Sequence, residues 1–263
     1  MDDGQLSFVH RPQNKGETHM FFGFNLSEIL MFPVKDAEAR KYLLIGALVS
    51  LAGFVIPILP YLVLLGYAAL IARQVLRGES PRMIPWEDWG GMFTNGAKLF
   101  GVRMIYSIPI LILMVPLMLM SFAMPFVVTS MDSADAEAFF VLFPLLMFGI
   151  MCLIIPVSLP LAVIIPAAEI HSIEKDDFSA AFQFKEWWQV LRANLGGFIA
   201  AFAIYYIASM ILAVIMQILV ATIILSCLLI VFLPAMTAYL TIVMYVTVAI
   251  AYREGKAKLA QVA

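Results

Sequence analysis

Four stretches of this chain carry no charged residue and no histidine: Tyr42 to Ala72, Met104 to Met131, Ala138 to Ala168, and Ala193 to Tyr252. A helix crosses the hydrocarbon core of a bilayer with about 20 apolar residues, so each stretch is long enough for at least one crossing. Hydrocarbon offers the backbone no hydrogen bonds, which leaves only helices or closed barrels as spanning structures. None of the runs alternates apolar with polar residues as an outer-membrane strand does. The sequence therefore predicts an all-α, polytopic integral membrane protein. Composition agrees, with 63% hydrophobic residues, 13% charged and a mean hydropathy of +0.97, outside the range of a soluble domain.

Charge placement orients the runs. All 16 Lys and Arg residues fall in the N-terminal segment, Arg73 to Arg103, Lys175 to Arg192, or Arg253 to Lys258. The connection holding Asp132, Asp135 and Glu137 has none. By the positive-inside rule the basic segments are cytoplasmic and the acidic loop is on the far side, so both termini are cytoplasmic. The N-terminal segment carries Asp2, Asp3, Arg11, Lys15 and Glu17 and no apolar signal core, so the first hydrophobic run is expected to direct insertion into an inner (cytoplasmic) membrane of a prokaryote. Cys152 and Cys227 lie in apolar runs and read as small hydrophobes, not as a disulfide framework.

Parity then sets the count. Tyr42 to Ala72 has basic flanks on both sides and must cross an even number of times, turning at Pro57-Ile58-Leu59-Pro60; a kinked single span is the alternative. The expected spans are near 42–57, 60–77, 104–130, 138–168, 195–217 and 222–252, six helices in three hairpins. They form one membrane domain, 25–252, between a polar cytoplasmic tail, 1–24, and a cytoplasmic tail, 253–263. An amphipathic interfacial helix is expected before each hairpin. One begins at Leu26, Ile29 and Leu30 after the caps Asn25 and Ser27 and ends or bends at Pro33. A second follows Trp86, Trp89, Phe93, Ala97 and Phe100, and a third Phe184, Trp187, Trp188, Leu191 and Leu195, each at helical spacing. From these come the residues expected to face headgroups or a partner: Trp86, Trp89, Phe93, Lys98, Lys185, Trp187, Trp188 and Arg192. The second and third copies align, Trp89 to Tyr106 over Trp188 to Tyr205, as an internal repeat would. Any helix stepping into a membrane also wants aromatics and cations at the headgroups.

The string Gly66-Tyr67-Ala68-Ala69-Leu70-Ile71-Ala72-Arg73, then Arg77-Gly78-Glu79, then Pro85-Trp86-Glu87-Asp88-Trp89-Gly90-Gly91-Met92-Phe93-Thr94-Asn95-Gly96-Ala97-Lys98 resembles the prokaryotic membrane-protein family called domain of unknown function 4013. The resemblance extends more loosely over residues 26 to 252. It implies a polytopic membrane protein and no established activity, so no catalytic residue carries over.

Chemistry is sparse. Phosphate-binding glycine loops, nucleophile elbows and zinc-protease motifs are absent. His10 and His19 sit in the polar tail. The compact polar cluster is Glu169, His171, Glu174, Asp176 and Asp177 at the end of the fourth span; Glu169, His171 and Glu174 are the candidate metal ligands there, but structural and catalytic sites need three or four ligands and a span exit recruits charges anyway. No ionisable residue stands in mid-membrane, and Arg103 and Glu169 are expected to snorkel. Ser107, Ser121, Ser158, Gln217, Thr222, Ser226, Thr237 and Thr241 read as interhelical hydrogen-bonding groups. Pro109, Pro116, Pro125, Pro144, Pro156, Pro160, Pro166 and Pro234 predict kinks or breaks, which neighbouring helices would satisfy or a substrate pathway would use. The scattered methionines read as adaptable packing. The expected function is non-enzymatic and without cofactor: a scaffold or accessory subunit of a membrane complex, binding lipid or partner proteins. The alternative is a carrier for lipid or an uncharged small molecule, predicting a cavity lined by Ser107, Ser121 and Ser158. Expected partners are membrane lipids, other membrane subunits or a second copy, and not nucleic acid.

Overall fold

The computed structural model describes residues 20–21, 24–222 and 227–262. His10, His19, Ser226 and most of the 1–24 tail lie outside the described residues. A two-residue antiparallel pairing, β1 (Met20–Phe21) with β2 (Phe24–Asn25), precedes the helices. Among the described residues the helices are α1 (Leu26–Met31), α2 (Ala37–Ala52), α3 (Leu59–Leu76), α4 (Trp89–Tyr106), α5 (Ile108–Thr129), α6 (Ser133–Lys175), α7 (Phe184–Ala193), α8 (Leu195–Ala221) and α9 (Leu229–Val262).

Local chemistry sets most boundaries. Asn25 caps α1 through its side-chain oxygen, which accepts from the Glu28 N–H at 3.2 Å, and Pro33 lies in the 3-10 turn that follows. Asp36 caps α2 in the same way at Ala39, 2.7 Å. The α2–α3 turn closes with the Leu59 N–H donating to the Pro57 carbonyl at 3.0 Å, around Ile58 at φ 75. That is a γ-turn of positive φ, a strained backbone state for a β-branched residue. Pro109 has no N–H for the Ile105 carbonyl, and the boundary between α4 and α5 falls at Ser107.

Five helices are long and apolar enough to cross a membrane: Leu59–Leu76, Ile108–Thr129, Glu137–Lys175, Leu195–Ala221 and Leu229–Gln261. The expected span 42–57 is instead the 16-residue α2, beginning at Ala37 and ending at Ala52, shorter than a full crossing. The span expected to end near 217, with its turn over Gln217 to Thr222, instead continues as α8 through Ala221. The segment expected as a C-terminal tail, 253–263, continues α9 as helix through Val262. Of the prolines expected to kink or break a span, Pro109 lies just after the α4–α5 boundary, which divides the expected span 104–130, and the others interrupt no element. Pro116 and Pro125 lie inside α5, Pro144, Pro156, Pro160 and Pro166 inside α6, and Pro234 inside α9.

The packed centre is α3, which touches α2, α4, α6 and α9. Its contact with α4 brings backbone against backbone. A Cβ added at Gly66 would lie 1.7 Å from the Met92 carbonyl oxygen, and one at Gly96 would lie 1.7 Å from that of Leu62. Glycine at both positions lets two backbones touch, the device by which membrane helices gain dispersion where no hydrophobic drive operates between them. α4 is therefore not an interfacial helix lying on the bundle. It buries Met92, Gly96, Leu99, Val102 and Tyr106, while Trp89 and Phe93 point outward. In contrast α5, the first half of α6 and the second half of α8 leave large apolar side chains bare, including Phe122, Phe126, Phe148 and Ile211. Bilayer is the solvent such surfaces fit.

Candidate functional site: a buried ion pair beside an apolar cavity

Arg103 stands on α4 one turn before the Ser107 boundary. Its guanidinium grips Glu169 of α6 with two hydrogen bonds, Nε to Oε1 at 2.9 Å and Nη2 to Oε2 at 3.0 Å. The Tyr245 hydroxyl of α9 donates to Glu169 Oε2 at 2.8 Å, and Arg103 Nη1 donates to the Tyr61 hydroxyl of α3. Glu169 is 0% exposed. Both residues were expected to snorkel out to the headgroups. They do not, because each is the other's counter-ion and two tyrosines complete the shell, as a buried charge requires.

Arg103 also lines a cavity of about 250 Å³ that it shares with residues of α6, α8 and α9. Ser107 and Tyr205 share that wall, and Leu161, Ile165, Phe198, Phe202 and Met244 supply much of the remainder. Of the three serines expected to line a cavity, Ser107 lines this one and Ser121 and Ser158 do not. Ser121 and Ser158 donate to carbonyls of their own helices, at Leu117 (2.8 Å) and Ile155 (2.9 Å). Thr222, Thr237 and Thr241 do the same, so the expected interhelical bonds are replaced by back-bonding within a turn.

The predicted Glu169, His171 and Glu174 cluster is divided between two places, since residues two apart on a helix face different neighbours. His171 is buried with Nδ1 2.5 Å from the Tyr252 hydroxyl, which in turn donates to Glu174 at 3.0 Å; Lys256 pairs with Glu174. Glu186 of α7 lies 3.5 Å from His171 Nε2 and 3.4 Å from Lys175. The described residues hold no group of three His, Cys, Asp or Glu placed for a metal ion. Asp176, in the left-handed conformation after α6, ties Arg73 of α3 (2.9 Å) and Lys98 of α4 (3.8 Å) to that helix end. Asp177 accepts from the Ser179 hydroxyl and backbone N–H, which hold its carboxyl below the usual range.

The tryptophans expected to face outward separate likewise. Trp86 precedes α4, stacks on Tyr67 with ring centres 3.9 Å apart, and donates to the Tyr42 carbonyl at 2.9 Å. Trp187 is 1% exposed and donates to the Ala181 carbonyl, which the Tyr106 hydroxyl shares. Trp89, Phe93, Lys185, Trp188 and Arg192 remain on the outside.

Helices of this length and apolarity, tied at one end by ion pairs, define a multi-pass helical membrane protein. Within that class the chain belongs to the family described as protein of unknown function DUF4013, which matches residues 49–221. No curated protein and no solved structure matches it. The motif that carries the family resemblance has a structural meaning here. Gly66 and Gly96 make the α3–α4 crossing, Tyr67 and Trp86 stack to pin the connecting loop, and Asp88 caps α4 by accepting from Gly91 at 2.8 Å.

Proposed function

We propose that this protein is a non-enzymatic scaffold or accessory subunit of a prokaryotic cytoplasmic membrane, crossing six times in three hairpins with both termini and the ion-paired end inside the cell. The observation that carries the reading is the division of the molecule along its helices. Arg73, Lys98, Arg103, Lys175 and Lys256 are each engaged with a carboxylate near one end. α5, the first half of α6 and the second half of α8 leave large apolar side chains exposed. Internally neutralised charges make a rigid base, and bare helices make a surface for lipid or for the helices of another subunit. Arg103 and Glu169 are held by each other, a poor arrangement for moving protons to or from a substrate.

The test is native mass measurement of the full chain purified in mild detergent. A stoichiometric protein partner or retained lipid is expected; a bare monomer with neither would overturn the proposal. The cavity beside Arg103 supports a second reading, a carrier for lipid or an uncharged small molecule. Proteoliposomes that exchange lipid no faster than empty vesicles would remove it.

A further inference from the structure

We infer that the cavity bounded by Arg103, Ser107, Tyr205 and the Leu161–Pro166 turn of α6 is a binding site for an uncharged, single-chain amphiphile with an oxygen-bearing head, such as a monoacylglycerol. The inference deepens the lipid-binding part of the proposed function and rests on the membrane placement used there.

Charge is the first argument. Arg103 brings a cation to the wall, but Glu169 already neutralises it through two hydrogen bonds. An anionic head entering the cavity would meet no net positive charge while losing its hydration, a combination that disfavours ions in a low-dielectric site. A neutral ester or hydroxyl loses far less. Hydrogen bonding is the second. The guanidinium has five N–H groups, of which Glu169, Tyr61 and Tyr245 engage four, leaving one on Nη1. The hydroxyls of Ser107 and Tyr205 have no hydrogen-bond partner among the described residues. Pro166 cannot donate to the Ala162 carbonyl, which therefore lacks its helical partner in the cavity wall. The site thus offers one guanidinium N–H, two hydroxyls that can donate or accept, and one carbonyl acceptor in an apolar surround, matching a head that both accepts and donates.

Size is the third. At about 250 Å³ the cavity is smaller than the usual range of roughly 300–1,000 Å³ for ligand pockets, so it admits one chain segment and a small head, not a whole phospholipid. Apart from Arg103 and Ser107, its walls are residues of α6, α8 and α9, helices of spanning length, so an occupant arrives from the bilayer.

The full-length protein in phosphatidylcholine nanodiscs is exposed to a diazirine-bearing monoacylglycerol, and labelled peptides are mapped by mass spectrometry. Labelling is expected to concentrate on residues 161–166 and 198–205, to saturate, and to be displaced by unlabelled monooleoylglycerol. Ala162→Phe, which fills the cavity, should reduce that labelling at least tenfold. Should this variant not fold, the pair Ser107→Ala and Tyr205→Phe keeps the shape and removes two hydroxyls, and a loss of about tenfold is expected. A diazirine fatty acid at a pH where it is ionised should label the site much more weakly. Equal labelling by the fatty acid overturns the neutral-head assignment. Labelling spread along α5 and α6 that neither saturates nor responds to the variants overturns the site itself. Both outcomes stand apart from the copurification result, which concerns partners and annular lipid and does not depend on residues 161–166.

Discussion

Arg103 immediately precedes the apolar run Met104 to Met131 and Glu169 immediately follows Ala138 to Ala168, and the charge pattern assigned both run ends to the same expected side, so a pairing was within reach of the sequence. The snorkelling expectation failed because it treated each charge alone, whereas two opposite charges with tyrosine donors and acceptors beside them are more stable joined and dry. Removing one partner leaves the other buried without compensation, which costs about 3–5 kcal/mol. Glu169→Ala and Arg103→Met should each lower the unfolding midpoint in detergent by the equivalent of that amount. The double variant Arg103→Met with Glu169→Leu should recover most of the loss, since a well-packed apolar pair often matches a buried ion pair. Additive losses in the double variant would show that the two side chains do not act as a pair. A smaller effect belongs to Asp88, whose carboxylate caps α4 at Gly91. Asp88→Ala should cost about 1 kcal/mol, read from the same melting curves, and Asp88→Asn should be close to neutral.

Among the elements, the apolar runs and the amphipathic spacing were legible because they follow from the periodicity of one helix. What was not legible was how helices meet. The stripe Trp86, Trp89, Phe93, Ala97 and Phe100 read as the apolar side of an interfacial helix, yet Trp86 precedes α4 and is buried, and the face of α4 that packs carries Met92, Gly96, Leu99 and Val102. Two glycines are the reason for it: Gly66 and Gly96 bring α3 and α4 into backbone contact, and a single sequence does not say which glycine is a weakness and which a crossing point. Gly66→Ala places a methyl 1.7 Å from the Met92 carbonyl oxygen, an overlap that only moving a helix relieves. Overpacking of that kind costs about 1–3 kcal/mol or more, so the variant should give markedly less folded protein by size-exclusion chromatography. Gly149→Ala in α6 is the control, because an added Cβ there meets nothing within 4 Å. It should be neutral or stabilising by up to about 1 kcal/mol, the propensity difference between the two residues in a helix. Equal behaviour of the two variants would contradict the α3–α4 contact.

For the whole molecule, the distribution of Lys and Arg and the five long apolar helices agree on a multi-pass protein, and the outstanding question is whether α2 makes the sixth crossing. At 16 residues α2 is about 24 Å long, several ångströms short of the hydrocarbon thickness. The turn after it exposes Phe54, Val55 and Ile56. Three apolar residues bared at a helix end suit the far interface if α2 crosses, and suit hydrocarbon if it turns back within the bilayer. Cysteine labelling separates the two. In a chain lacking Cys152 and Cys227, single cysteines at Lys35, Val55, Arg82 and Ser130 are treated with a membrane-impermeant maleimide on intact cells. Six crossings require Val55→Cys and Ser130→Cys to label from outside, while Lys35→Cys and Arg82→Cys label only after permeabilisation. Protection of Val55→Cys with labelling of Ser130→Cys would make α2 a re-entrant segment and leave Lys35 and Arg82 on the same side only by its return. Labelling of Arg82→Cys together with Ser130→Cys from outside would put α5 back to the side it started from, and the charge rule that orients every other helix would fall with it.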